Sequence, residues 1–265
     1  MDGQDKQDNF LQPSYKIGTT SYIIDGDIPA NVRYLGGIVD DVELVLFDDP
    51  VHGSNIPDQT VIKQLINYAV EYNLTYTVHL PMDVGHDPRS HSLAKQVIAV
   101  TKPLNPVAFI MHFDGETLTN NPYTETKICW QNDARKWLKE IITFVGDPKL
   151  VCIENLEGWE PEIFDDIVTE SGVSRCVDVG HLWLENRDPL PYLQKHLSNT
   201  RVIHLHGIGD RDHQSLSYTD KSKISAVLAL LNQENYTGIV TLEIFGEEDF
   251  LSSMRVLDEI ELQQD

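Results

Sequence analysis

Eight short β-rich runs alternate with helical stretches along almost the whole chain, and this alternation limits the fold more than any other feature. The runs are KIGTTSY (16–22), VELVLF (42–47), TYTVHLP (75–81), VAFIMHF (107–113), LVCIENL (150–156), RCVDVGH (175–181), RVIHLHG (201–207) and GIVTLEIF (238–245). Their Val and Ile content suits strands covered on both faces. Between them lie segments of helical period: 60–73, with Val61, Leu65, Tyr68 and Ala69 along one face, then 92–102, 133–145, 223–233 and 248–260. Strand followed by helix predicts βαβ units with right-handed crossovers. Eight such units predict an α/β protein of the closed (β/α)₈ (TIM) barrel type. An open doubly wound sheet would give a similar string, but no GxGxxG or Walker-type loop follows the first strand. The 265 residues suit one barrel over 15–265, after a polar, acidic stretch (1–14) expected to be a disordered tail.

Charge and cysteine usage exclude several classes. The chain has 20 basic and 42 acidic residues, a net charge of −22, which repels a polyanion and argues against nucleic acid as a partner. It does not argue against a small phosphate-bearing ligand held by a metal. Cys129, Cys152 and Cys176 form no CxxC pair, so neither a disulfide framework nor a thiolate zinc site is expected. Cys152 and Cys176 lie in apolar runs and read as core residues. A cytoplasmic location is the default expectation. The N-terminus lacks the basic and apolar regions of a signal peptide, and no apolar run reaches the roughly 18 residues of a membrane span.

Ionisable residues recur at the ends of the strand runs: His79, His112, Glu154, Asp178, His181, His204, His206 and Glu243. In a (β/α)₈ barrel the C-terminal strand ends converge on one mouth. A single histidine at a strand end is more often a hydrogen-bonded rim residue than a ligand. Many carboxylates buried together need compensating charge, and a divalent cation supplies it. Imidazole and carboxylate without thiolate suit Zn²⁺, Mn²⁺ or Fe²⁺. The loop HGIGDRDHQSL (206–216) adds Asp210, Arg211, Asp212 and His213, with Arg211 suited to a phosphate. A second loop, PMDVGHDPRSH (81–91), adds Asp83, His86, Arg89 and His91.

With these residues in view, the chain resembles the xylose-isomerase-like barrel superfamily, which includes endonuclease IV and the sugar isomerases and epimerases. The resemblance runs from Ile17 to the last helix. It implies a metal core of Glu154, Asp178, His204 and Glu243. The extra histidines are similar to those of endonuclease IV-like enzymes, which implies up to three metals held also by His79, His112, His181 and His213. Either Asp210 or Asp212 would be the carboxylate partner of His213. The stretches IGTTSYI, NVRYLGGIVDDVELVLFD, HLPMDVG and HLHGIGDRDH look like those of the CbiR-type cobamide-remodelling phosphodiesterases. That resemblance implies hydrolysis of the corrinoid nucleotide-loop phosphodiester, giving cobinamide phosphate and the α-riboside. In such a reaction Glu154 and Glu243 would bridge metals, Glu43 and His206 would support ligands or shuttle protons, and Thr20, Tyr22, Asp83 and Arg211 would contact the corrinoid substrate. The alternative is a sugar or sugar-phosphate isomerase or epimerase, in which one metal suffices and Glu154 and Glu243 move a proton at carbon. A DNA-repair nuclease sits poorly with the charge. A non-enzymatic corrinoid- or metal-binding protein would bind at the same mouth without turnover.

Overall fold

The computed structural model of the chain describes residues 13–49, 53–81, 88–113 and 124–262. Eight parallel strands form a closed barrel: β1 (Lys16–Thr20), β2 (Asp41–Val45), β3 (Thr75–His79), β4 (Ala108–Met111), β5 (Val151–Glu154), β6 (Ser174–Asp178), β7 (Thr200–Leu205) and β8 (Ile239–Leu242). Each pairs with its neighbours in sequence, and β8 pairs with β1 to close the ring. Each of the eight expected runs contains one of these strands. A small antiparallel hairpin, Asp48–Asp49 with Gly53–Ser54, follows β2.

Strand parity explains why the site lies where it does. Ala108, Ile110, Cys152, Cys176, Val202 and Ile239 pack together inside the barrel. Their alternates Phe109, Met111, Val151, Ile153, Val177, Ile203, Val240 and Leu242 belong to the larger core beneath the helices. Successive side chains on a strand point to opposite faces. Each inward residue therefore places another inward residue two positions on. Cys152 leads to Glu154, Cys176 to Asp178 and Val202 to His204, all at the C-terminal mouth. Both interior cysteines are fully buried core residues, while Cys129 is exposed.

Two segments differ from the sequence expectation. RCVDVGH does not remain extended to residue 181, because β6 stops at Asp178 and Val179–Leu184 is helical. The reason is local: Asp178 caps that helix, its Oδ1 accepting the His181 backbone N–H at 2.6 Å. The helix expected over 133–145 begins nine residues earlier, at Thr124. Short helices over Ile28–Leu35, Asp165–Ser171 and Pro189–His196 were not expected, although Ile28, Asn31, Val32 and Leu35 form one buried face at helical spacing. The expected tail falls mostly on residues 1–12, outside the described residues, and Ser14 Oγ donates to the Tyr236 carbonyl at 3.0 Å. Among the described residues no helix is long and apolar enough to cross a membrane.

Candidate metal centre

Four side chains from four consecutive strand ends meet at the mouth. Glu154 ends β5, Asp178 ends β6, His204 lies near the end of β7, and Glu243 follows β8. One donor atom from each lies within 4.8 Å of all the others, and all four residues are buried. His204 is the hub. Its Nδ1 is 2.9 Å from Glu243 Oε2, 3.2 Å from Glu154 Oε1 and 3.8 Å from Asp178 Oδ2. Its Nε2 is 3.0 Å from Glu43 Oε2, and both of those side chains are wholly inaccessible. Glu43 belongs to β2 and points inward by parity, so it reaches His204 through the barrel interior and fixes the ring from behind.

A second group shares one carboxylate with the first. Asp178, His181, His206 and His213 again bring donor atoms within 4.8 Å of one another. Asn155 pins the shared residue: its Nδ2 donates to the Asp178 carbonyl at 2.9 Å, and its Oδ1 accepts the Asp178 N–H at 3.0 Å. The Asn155 carbonyl takes His181 Nδ1 at 3.1 Å, which leaves His181 Nε2 for the cluster, 3.5 Å from Glu157. His213 has φ of 52°, a left-handed conformation uncommon outside glycine, and its ring stacks on His206 at 4.2 Å. His206 Nδ1 accepts the His213 N–H at 3.0 Å, and the Gly207 carbonyl lies at 3.4 Å from the same nitrogen. Gly180 makes room for this ring, since a Cβ at that position would strike His206.

Electrostatics test whether the group fits a cation. Burial alone would strip the proton from His79, but its bond to Glu154 (3.2 Å) and the nearby Glu43 and Glu243 lift its pKa to about 9. His181 and His213 behave likewise. Burial opposes their protonation, while Asp178 and the cluster glutamates for one, and Glu243 for the other, lift each to about 9. Burial also disfavours charge on His204, yet the surrounding carboxylates hold its pKa well above the ordinary value. Burial would raise Glu154 and Glu243, but His204 holds both well below the carboxylate range. The pit thus balances its carboxylates with protons on imidazoles, the task a divalent cation performs when it displaces them. Asp178 Oδ2 and His206 Nε2 are buried with no hydrogen-bond partner among the described residues, as open ligand positions would be, although His206 Nε2 comes within 3.3 Å of Asp178 Oδ1. The donor set fits a divalent metal of the Zn²⁺, Mn²⁺ or Fe²⁺ kind.

Other expected site residues have different surroundings. His79 bonds Glu154, and its ring lies 5.6 Å from that of His112, but among the described residues neither joins a convergent donor group. Burial lowers the His112 pKa to about 4, leaving a neutral ring whose Nδ1 has no partner among the described residues. Asp212 Oδ2 lies 3.2 Å from Nδ1 of His213, on the opposite side of that ring from Glu243. Asp210 is exposed. Thr20 is fully buried, and its hydroxyl donates to the Ile244 carbonyl at 2.6 Å, which ties β1 to the segment after β8. Arg211 is exposed, donating to the Asp212 carbonyl and 3.8 Å from Asp249. Tyr22 stands at the mouth between Phe47 and Phe245, with ring centroids 6.1 and 6.5 Å away. Asp83 and His86 lie outside the described residues. His91 bonds Glu140 between two outer helices. Sequence reasoning missed Asn155, Glu157 and Gly180, although Asn155 directly follows a predicted ligand.

A family model described as xylose isomerase-like TIM barrel matches residues 31–260. No curated protein matches the sequence. Among solved structures the fold is similar to a D-tagatose 3-epimerase-like protein, at 18% identity and a TM-score of 0.71, over 92% of this chain and 96% of the other. It is similar to 3-keto-D-glucoside 4-epimerase from E. coli, at 16% identity and 0.69, over 93% and 98%. It is also similar to endonuclease IV from Thermus thermophilus, at 13% identity and 0.67, over 92% and 99%.

Proposed function

The chain belongs to the xylose isomerase-like TIM barrel family, and from that premise we propose that it is a metal-dependent phosphodiesterase acting on the nucleotide-loop phosphodiester of cobamides. The observation that carries the hydrolytic reading is the sharing of Asp178 by two convergent donor groups. Proton transfer at carbon needs one metal and the Glu154, Asp178, His204, Glu243 set. A second group beside it suits in-line displacement at phosphorus, where the attacking and leaving oxygens each need stabilising. The corrinoid substrate rests on the resemblance of the first two strand regions and the HLHGIGDRDH loop.

Divalent cations in these groups would neutralise phosphate charge and acidify an attacking water. The protein's own residues do the rest. Glu43 accepts from His204 Nε2 and so turns Nδ1 toward the carboxylates. Asn155 and the helix cap hold Asp178 so that both groups can use it. His206 accepts the His213 N–H at Nδ1, which aims its Nε2 into the outer group, 3.3 Å from Asp178. Phe245, beside His213, and Tyr22 give the mouth an aromatic wall on which a flat base can lie.

The test is incubation of the metal-replete protein with adenosylcobalamin, followed by chromatography. Cobinamide phosphate and α-ribazole are expected, and EDTA should abolish them. No cleavage with Zn²⁺, Mn²⁺ or Fe²⁺ refutes the reading. A sugar or sugar-phosphate epimerase is the second reading, favoured by the placement of Glu154 and Glu243 about the same His204 nitrogen, at 3.2 and 2.9 Å. One of the similar folds is an epimerase and another an epimerase-like protein. His181→Ala separates the two readings, because His181 belongs to the outer donor group alone: an epimerase tolerates it, and the phosphodiesterase loses orders of magnitude in rate.

A further inference from the structure

The opposite pole of the barrel, where the strands begin, holds a cavity of about 810 Å³. This is within the size range of small-molecule sites. Its lining inverts the composition of the chain. Lys16, Lys149 and Arg201 face it against a single carboxylate, Glu234, in a protein with 42 acids and 20 bases. Among the described residues no carboxylate lies within ion-pair distance of the three cations, and Lys16 is felt only at longer range by the buried Asp41. Three cations around one cavity give it a positive potential that an anion entering it would feel.

The lining is held in place from several directions. Arg201 Nε donates to the Val107 carbonyl, which anchors the guanidinium and leaves its amino groups uncommitted. The Lys149 backbone is clamped twice, its N–H by Asp147 at 2.9 Å and its carbonyl by Ser174 Oγ at 2.8 Å. Lys16 N–H donates to the Gly238 carbonyl at 3.0 Å. Gly238 lets the wall close, because a Cβ there would strike the Tyr236 hydroxyl and the Arg201 carbonyl. Asn199 and Asn235 add neutral donors. An anchored guanidinium, two lysines and side-chain amides around a cavity suit a compact oxyanion of two or more charges, for which guanidinium and ammonium groups are suited donors.

We infer that this pole carries a second binding site, for a small phosphate-type polyanion, separate from the metal mouth. It is independent of the reaction proposed above.

The test is isothermal titration of the metal-replete protein with inorganic pyrophosphate at low and moderate salt. Pyrophosphate also binds metals, so two variants assign the heats. Lys149→Ala removes an exposed side chain whose backbone contacts persist, so it should fold and keep its activity. It should weaken the polar-site event at least fivefold, and Lys149→Ala with Arg201→Gln should abolish it. Asp178→Asn should leave that event intact while changing any event at the mouth. Lys127→Ala, on an outer helix, controls for general charge and should change nothing. The inference is overturned if every pyrophosphate event disappears with Asp178→Asn, if Lys149→Ala binds as wild type does, or if Lys127→Ala weakens binding equally.

Discussion

Glu43→Gln tests whether the ligand set is positioned from inside the barrel. Glu43 and His204 are both wholly buried, with Oε2 and Nε2 3.0 Å apart, while Glu43 Oε1 has no hydrogen-bond partner. The carboxylate holds the His204 proton on Nε2, so Nδ1 faces Glu243, Glu154 and Asp178. Glutamine fits the same space but must choose an orientation. With its carbonyl toward His204, the amide NH₂ occupies the partnerless position and is left unsatisfied, at a cost of about 1–3 kcal/mol. With its NH₂ toward His204, Nε2 must accept, the proton moves to Nδ1, and the nitrogen needed for ligation is blocked. Either way metal affinity should fall about 10–100-fold, or about 1.4–2.7 kcal/mol. Competition against a chromophoric chelator measures this directly. Because Glu43 acts through His204, lost turnover should return in part at saturating metal, which would not happen for a group that contacts the reacting atoms. A metal affinity within twofold of wild type, or a rate deficit untouched by added metal, refutes the reasoning.

Two further substitutions probe other parts of the barrel. Asp41 is wholly buried, and burial raises its pKa from 3.8 to about 6 despite hydrogen bonds from Thr75 and Thr77. Its folded pKa lies above the unfolded one, so its contribution to stability is full below about pH 4 and is lost as pH rises through 6. Asp41→Asn should therefore exceed wild type by up to about 3 kcal/mol at pH 8, two pH units at about 1.4 kcal/mol each, and match it at pH 4; a denaturation midpoint difference that ignores pH contradicts this. Gly180→Ala should push the His206 ring out of the outer donor group, lowering metal stoichiometry while the Glu154, Asp178, His204, Glu243 set still binds; unchanged stoichiometry by elemental analysis contradicts it.

The barrel was legible in the sequence because the outward face of each strand is apolar and buried beneath the helices, and in β4, β5, β7 and β8 the inward face carries apolar residues too, so the runs stand out. Strand ends were less legible. VDVG has strand character, and the residue that stops β6 does so through a side-chain bond made three residues on, from Asp178 to His181. The spacing Asp178-x-x-His181 was the available signal, since a capping carboxylate reaches that far. His206 carried a signal too: it lies two residues beyond His204 and keeps the inward parity past the end of the hydrogen-bonded strand. The placement of Asp212 was not legible. Adjacency to His213 brings the two close, but which ring nitrogen Asp212 meets depends on the left-handed backbone at His213: Asp212 lies against Nδ1 and Glu243 against Nε2.

Exclusion of water accounts for this division. Inside the barrel an unbalanced carboxylate costs several kcal/mol, so Glu43, Glu154, Asp178 and Glu243 had to be accompanied by His79, His181, His204 and His213, and the company is visible as a pattern of residue types at strand ends. On the rim, solvent screens charge, and Arg211 gains little by facing one carboxylate rather than another. Asp249, at 3.8 Å, is its neighbour because of where a loop runs and not because of what the site demands. The same reasoning separates the two poles. Glu43 acts at the mouth through a bond that no loop can rearrange, whereas Lys16, Lys149 and Arg201 come from three strand starts far apart in sequence, each ordinary when read alone. Their meeting depends on barrel closure, which brings β1 beside β8, and a linear reading of the chain has no means of seeing it.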